Sequence, residues 1–227
     1  MVRLVPGALA ATFALAGATA ALAQCNSQEP VRIELRMFKY YGAESGPAQD
    51  KFSLFYQILI EKLKHIQDEA NSPDVDTKYL DKLKIIPDFT KLELPPKEID
   101  KLKAIWDSVP ALFLLSGALD LEGTTYYVDS SIYWGGLKPA GLHDYIYARM
   151  PVTPAGQRNA LDTHSLITFF ALAMDAKRRG CHSSVVLHLL EHADEKAKDL
   201  ERRNELDGDL VKLKAFIEDQ IASSIKK

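Results

Sequence analysis

His188, Glu191 and His192 form an H-x-x-E-H string near the carboxyl end of the chain. Two histidines four residues apart share one helix face, where both could ligate a zinc ion, and the glutamate could activate a zinc-bound water. That is the chemistry of a zinc-dependent hydrolase, with His188 and His192 as metal ligands and Glu191 as catalytic base. Helix phase argues against it. The apolar stripe of Val186, Leu190 and Ala193 runs opposite the two histidines and assigns them, with Glu195 and Asp199, to the solvent side. Only 35 residues follow His192, so a third carboxylate ligand would have to come from Glu205 or Glu218. A solvated polar face is the first reading of this string, and a zinc site the alternative.

No other cluster competes with it. His143-Asp144 beside Tyr145 and Tyr147 could support acid–base chemistry, but His143, His164 and His182 read as hydrogen-bonded or surface histidines. The chain has no G-x-S-x-G elbow, no phosphate loop, no dinucleotide fingerprint and no C-x-x-C. The first expectation is therefore a protein without catalytic residues or cofactor.

The two cysteines, Cys25 and Cys181, point to the compartment. In an oxidising environment such a pair reads as a disulfide joining the amino terminus to the carboxy-terminal half. The rival is an acylated Cys25, although Gln24 is not the small residue that a lipobox places before its cysteine. Residues 1–23 carry one early cation, Arg3, then an apolar stretch ending in Ala21-Leu22-Ala23. That is the layout of a cleaved signal peptide, and its alanine-rich composition, with Pro6, Gly7 and Gly17, is weakly hydrophobic for a retained anchor. The expected location is periplasmic or secreted.

Removing 23 of 227 residues leaves 204, enough for one large domain or two small ones. The net charge of the whole chain is −3 with both signs interspersed, which gives no reason to bind nucleic acid. After the leader, no apolar run is long enough to span a bilayer.

Val31, Ile33, Leu35 and Met37 alternate with charged residues and predict a strand. Asp50 is a candidate N-cap for a helix over 51–70, whose apolar positions include Leu59, Leu63 and Ile66. A short strand over 82–86 is expected to close at Pro87-Asp88, and Pro95-Pro96 opens a second helix with Ile99, Leu102, Ile105 and Trp106 on its buried face. Ala111 to Leu121 reads as a central strand and Thr124 to Trp134 as its return, with Leu142 to Met150 available as one more strand. Three helices follow, marked by Leu166–Ala173, Val186–Leu200 and Leu210–Ile221. The predicted class is α/β (α+β): a small mixed sheet in strand–helix–strand–helix–strand–strand order, then a three-helix segment. The predicted organisation is a leader at 1–23, an α/β domain at 24–152 and a helical tail at 153–227.

The stretch from Val109 to Trp134 resembles the closing hairpin of the TolB amino-terminal-like domains, a group that includes relatives from flagellar and curli envelope assembly. Its pattern is an apolar strand, a Ser-Gly or Glu-Gly step, a polar turn, an alternating strand and a late Trp. Ser116-Gly117 and Trp134 occupy the matching places, and element order from Val31 to Trp134 agrees. The resemblance implies a non-catalytic envelope module that binds other proteins, and it supplies no catalytic residues. Tyr127, Asp129 and Tyr133 share one strand face and form the candidate binding patch. The expected partner is another envelope protein, with the zinc hydrolase as the alternative function.

Overall fold

A computed structural model describes residues 31–38, 57–66, 83–92, 104, 113–122, 125–133, 139–143, 145–151, 153–206 and 208–225. The leader, Cys25, Trp134 and most of the helix expected after Pro96 lie outside the described residues.

Four helices carry the described interior. Helix α1 covers 57–66 and buries Leu59, Leu63 and Ile66, positions that fall on one helical face. Helix α2 (Pro154–Arg178) starts with proline in the first turn, and the Thr153 hydroxyl accepts from the Gly156 amide at 3.1 Å. Helix α3 (Ser183–Arg202) and helix α4 (Gly208–Ile225) complete the set. From Leu166 to Ala173 every residue of α2 is buried, so this helix has no solvent face along its middle. Its hydroxyls bond to its own carbonyls: Ser165 to Leu161 O at 2.8 Å and Thr168 to His164 O at 2.7 Å.

Two Schellman turns reverse the chain at the helix ends. Gly180 adopts φ 70°, with Gly180 N bonded to Lys177 O and Cys181 N to Ala176 O. Asn204 plays the same part after α3 at φ 58°, with Asn204 N to Glu201 O and Glu205 N to Leu200 O. Arg203 then ties the two ends of the α2–α3 hairpin, donating to Asn159 Oδ1 at 2.8 Å and to Asp162 Oδ2 at 2.5 Å.

Five strands pair through their backbones: β1 (Val31–Phe38), β2 (Leu83–Leu92), β3 (Phe113–Glu122), β4 (Thr125–Tyr133) and β5 (Tyr145–Pro151). Their order is β2-β1-β3-β4-β5, with β1 parallel to both neighbours and the last three antiparallel. Strand β2 runs on through Pro87, which pairs with Leu35, instead of stopping there. Among the described strands β2 lies at the sheet edge, where a strand tolerates proline.

The α/β class is corrected by the helical interior. Of the residues whose side chains are placed, 80% are helical and fall in four helices. The core they build is a helical one. It joins Leu59, Leu63 and Ile66 of α1 to Phe169, Phe170 and Leu172 of α2, Leu189 and Leu200 of α3, and Leu213 and Ile217 of α4. Among the described residues, the strands contribute Ile146 to this cluster. Strand β5 falls within the stretch from Leu142 to Met150 offered as one more strand, and runs one residue further, to Pro151. Local strand patterns are legible residue by residue, whereas which layer dominates depends on how much apolar surface each element buries.

Candidate functional site

Helix α3 brings His188 and His192 together as their spacing requires, but not on the solvent side. The His192 ring stacks on Phe169 of α2, with centroids 5.0 Å apart and planes 17° apart. The His188 ring meets His192 edge-on at 4.6 Å and 85°. Both residues are half-buried. This corrects the solvent placement expected from helix phase: the Phe169 ring of α2 lies against the flank of α3 that carries His192. The Nε2 of His188 is buried with no hydrogen-bond partner. Glu191, the expected base, is exposed, and the Glu195 carboxylate lies 3.8 Å from His192 Nδ1. That separation exceeds a hydrogen bond. Among the described residues, no group of three or more His, Cys, Asp or Glu side chains is arranged to hold a metal ion.

His143, His164 and His182 have separate duties. His164 is buried in α2 and donates from Nδ1 to Ala160 O at 2.6 Å. Burial drives its pKa down to about 4, outweighing the backbone hydrogen bond that raises it. His182 is the N-cap of α3, its ring nitrogen accepting from the Ser184 amide. His143 pairs with Asp209 in the first turn of α4, Nδ1 to Oδ2, at 2.5 Å. Burial raises the Asp209 carboxyl, but hydrogen bonds from His143 and Lys212 outweigh it and hold the group below its ordinary value. Sixty-six residues separate His143 from Asp209, so no local pattern announces the pair.

The aromatic patch divides. Tyr133 is 4% exposed, Tyr127 is half-buried, and Asp129 lies between them on β4, an interior strand of the sheet. Tyr133 pairs with Tyr145, one residue from Ile146, so by alternation it faces away from the helical core that Ile146 joins. Tyr133 therefore has little ring surface to offer a partner.

A surface feature emerges elsewhere, between the end of α3 and the start of α4. Glu201, Asn204, Leu206, Val211, Lys214 and Glu218 line a groove of about 430 Å³, together with Ala215. Val211 is 50% exposed, and among the described residues it is the only large hydrophobic side chain so exposed. Lys214 bridges the two acidic walls, at 2.7 Å from Glu218 and 3.4 Å from Glu201. Its hydrogen bond to Glu218 holds the ammonium pKa above its ordinary value. Sequence reading misses this groove because it follows the buried stripe of Leu210, Leu213 and Ile217. The available signal was the valine next to that stripe.

No family model, no curated protein and no solved structure matches this chain. Among the described residues, no helix is long and apolar enough to cross a membrane.

Proposed function

We propose that this chain is an exported accessory or scaffold protein that binds another protein of the cell envelope and performs no chemistry of its own. The observation that carries this reading is the α3–α4 groove with Val211 exposed on its wall. An apolar side chain ringed by charged groups is the arrangement of a small protein-binding pocket, with an anchor at the centre and a polar rim. The leader sequence and the TolB-like hairpin support the envelope as the setting. The stacking of His192 on Phe169 gives that histidine a packing role.

The test is site-specific photocrosslinking in the cell. A crosslinker at Val211 should yield one dominant envelope partner, absent when the crosslinker sits at exposed Lys198 on α3. The adduct should disappear when Ala215→Glu is added to the groove wall. Equal labelling from both positions, or none from Val211, would overturn the reading.

The zinc hydrolase has one observation in its favour, the unpartnered Nε2 of His188. Protein purified without chelators would then carry near-stoichiometric zinc, and both metal and turnover would be lost in His188→Ala. Metal content below a tenth of stoichiometric, ~0.1 per chain, would end that alternative.

A further inference from the structure

Helix α4 turns one face outward. Val211, Lys212, Ala215, Glu218, Asp219 and Ala222 are all exposed. Helical spacing puts Val211, Ala215 and Ala222 along the middle of that face, Lys212 and Asp219 on one flank, and Lys214 and Glu218 on the other. Each flank thus has a lysine towards the start of the helix and a carboxylate towards its end. Such an order is self-complementary. When two copies of α4 pack antiparallel, a two-fold axis turns each flank onto the same flank of the other copy. Lys212 of one copy then meets Asp219 of the other, Lys214 meets Glu218, and Val211 lies over Ala222. The midpoints of these three pairs are positions 215.5, 216 and 216.5. At the rise of an α-helix they fall within about 1.5 Å of one level, so a single axis serves all three. Ala215 stands at that level, where a small side chain lets the two helices approach closely. Parallel packing fails the same test, because it sets Lys212 beside Lys214 and Asp219 beside Glu218.

We propose that a second copy of this chain is the resting occupant of the α3–α4 groove, seated by antiparallel pairing of the two α4 helices. Val211, Ala215 and Glu218 line the groove as well as the outward face, so the pairing covers it. An unrelated partner gives no reason for three pairs along one helix to share a centre, whereas a two-fold dimer requires it. The side chains that must reach across are available: Lys212 is 57% exposed and Glu218 49%. Lys212 donates to Asp209 at 3.1 Å within its own chain, and an ammonium with three donors can serve Asp219 of the other copy as well. That the dimer masks a docking site for an envelope protein rests on the partner reading above; the dimer itself does not.

Sedimentation equilibrium of the full chain, exported with its own leader, should show a monomer–dimer equilibrium. Lys212→Glu and Asp219→Lys should each weaken dimerisation about tenfold, since each sets like charges against one another at both ends of the pairing. An equimolar mixture of the two variants should dimerise as well as wild type, because both pairs in the mixed dimer are again of opposite sign. An acidic residue near the start of α4 and a basic one towards its end suit the helix dipole, so both variants should keep the wild-type circular dichroism. Should either unfold, a photocrosslinker at Ala215 replaces it and should join α4 of one chain to α4 of another. Neither Lys212 nor Asp219 lines the groove, so the envelope adduct from Val211 should persist in both variants and rise severalfold as the groove is uncovered. A dimer restored by mixing, with no envelope adduct from Val211, would support the covering copy and overturn the partner reading alone. A monomer at every concentration, a dimer indifferent to both charge reversals, or no recovery on mixing folded variants would each overturn the proposal.

Discussion

His164 shows how a single side chain can set a pH limit on the fold. At 2% exposure it is held neutral, with its pKa pushed down to about 4. In the unfolded chain it returns to 6.5, so between those two values the unfolded state binds the proton and the folded state does not. Stability from this group is therefore complete above pH 6.5 and falls as pH drops towards 4, by at most about 3 kcal/mol. Urea unfolding of wild type and His164→Asn at several pH values checks this, and an unchanged slope in the variant would place the effect elsewhere. Gly156 sets a steric limit. A Cβ there would lie 2.0 Å from Pro151 O, a backbone atom that cannot step aside. Gly156→Ala should cost roughly 1–3 kcal/mol in chemical denaturation, as overpacking does. Neither constraint is visible in sequence. A histidine beside an apolar run reads equally as a surface or a core residue, and the approach of Gly156 to Pro151 is a property of the turn between β5 and α2.

At the scale of elements, the helices were the most legible part. Leu59, Leu63 and Ile66, or Leu210, Leu213 and Ile217, announce a buried face through spacing alone. What spacing omits is how the elements are joined. Arg203 lies 41 residues from Asp162 and 44 from Asn159, yet it locks the end of α3 to the start of α2. Asn159 is itself buried, so losing Arg203 leaves an amide oxygen without its donor. Arg203→Ala should therefore cost about 2 kcal/mol of unfolding free energy. A double-mutant cycle with Asp162→Ala should give a coupling of about 1 kcal/mol. Additive effects would reduce the pair to a surface contact. The same gap explains the histidines of α3: periodicity gave their mutual spacing, but not the Phe169 ring from another helix that covers them. It also explains β2, where Pro87 reads as a stop until the strand is known to lie at the sheet edge.

For the molecule as a whole, the question is whether the helical segment behaves as an independent unit. The boundary expected between 152 and 153 runs through a shared cluster, because Leu63 of α1, Leu142 and Ile146 belong to the same buried group as α2, α3 and α4. An element ninety residues upstream of α2 thus helps to close the interior of the carboxy-terminal helices. Sequence patterns could not reveal this, since each helix advertises an apolar face without naming what meets it. The His143–Asp209 pair adds a polar tie across the same junction. Cooperative unfolding in one step follows from a core shared in this way. Leu63→Ala removes a fully buried side chain and should cost about 2–5 kcal/mol. Its effect should reach residues far from the substitution. Amides in the middle of α2, such as Phe169 and Phe170, should lose protection by the same free energy as the global transition, and the thermal melt should remain a single step. Two resolved transitions, with α2 protection unchanged in Leu63→Ala, would show instead that the helices stand on their own. The contact with α1 would then be an interface between independent units.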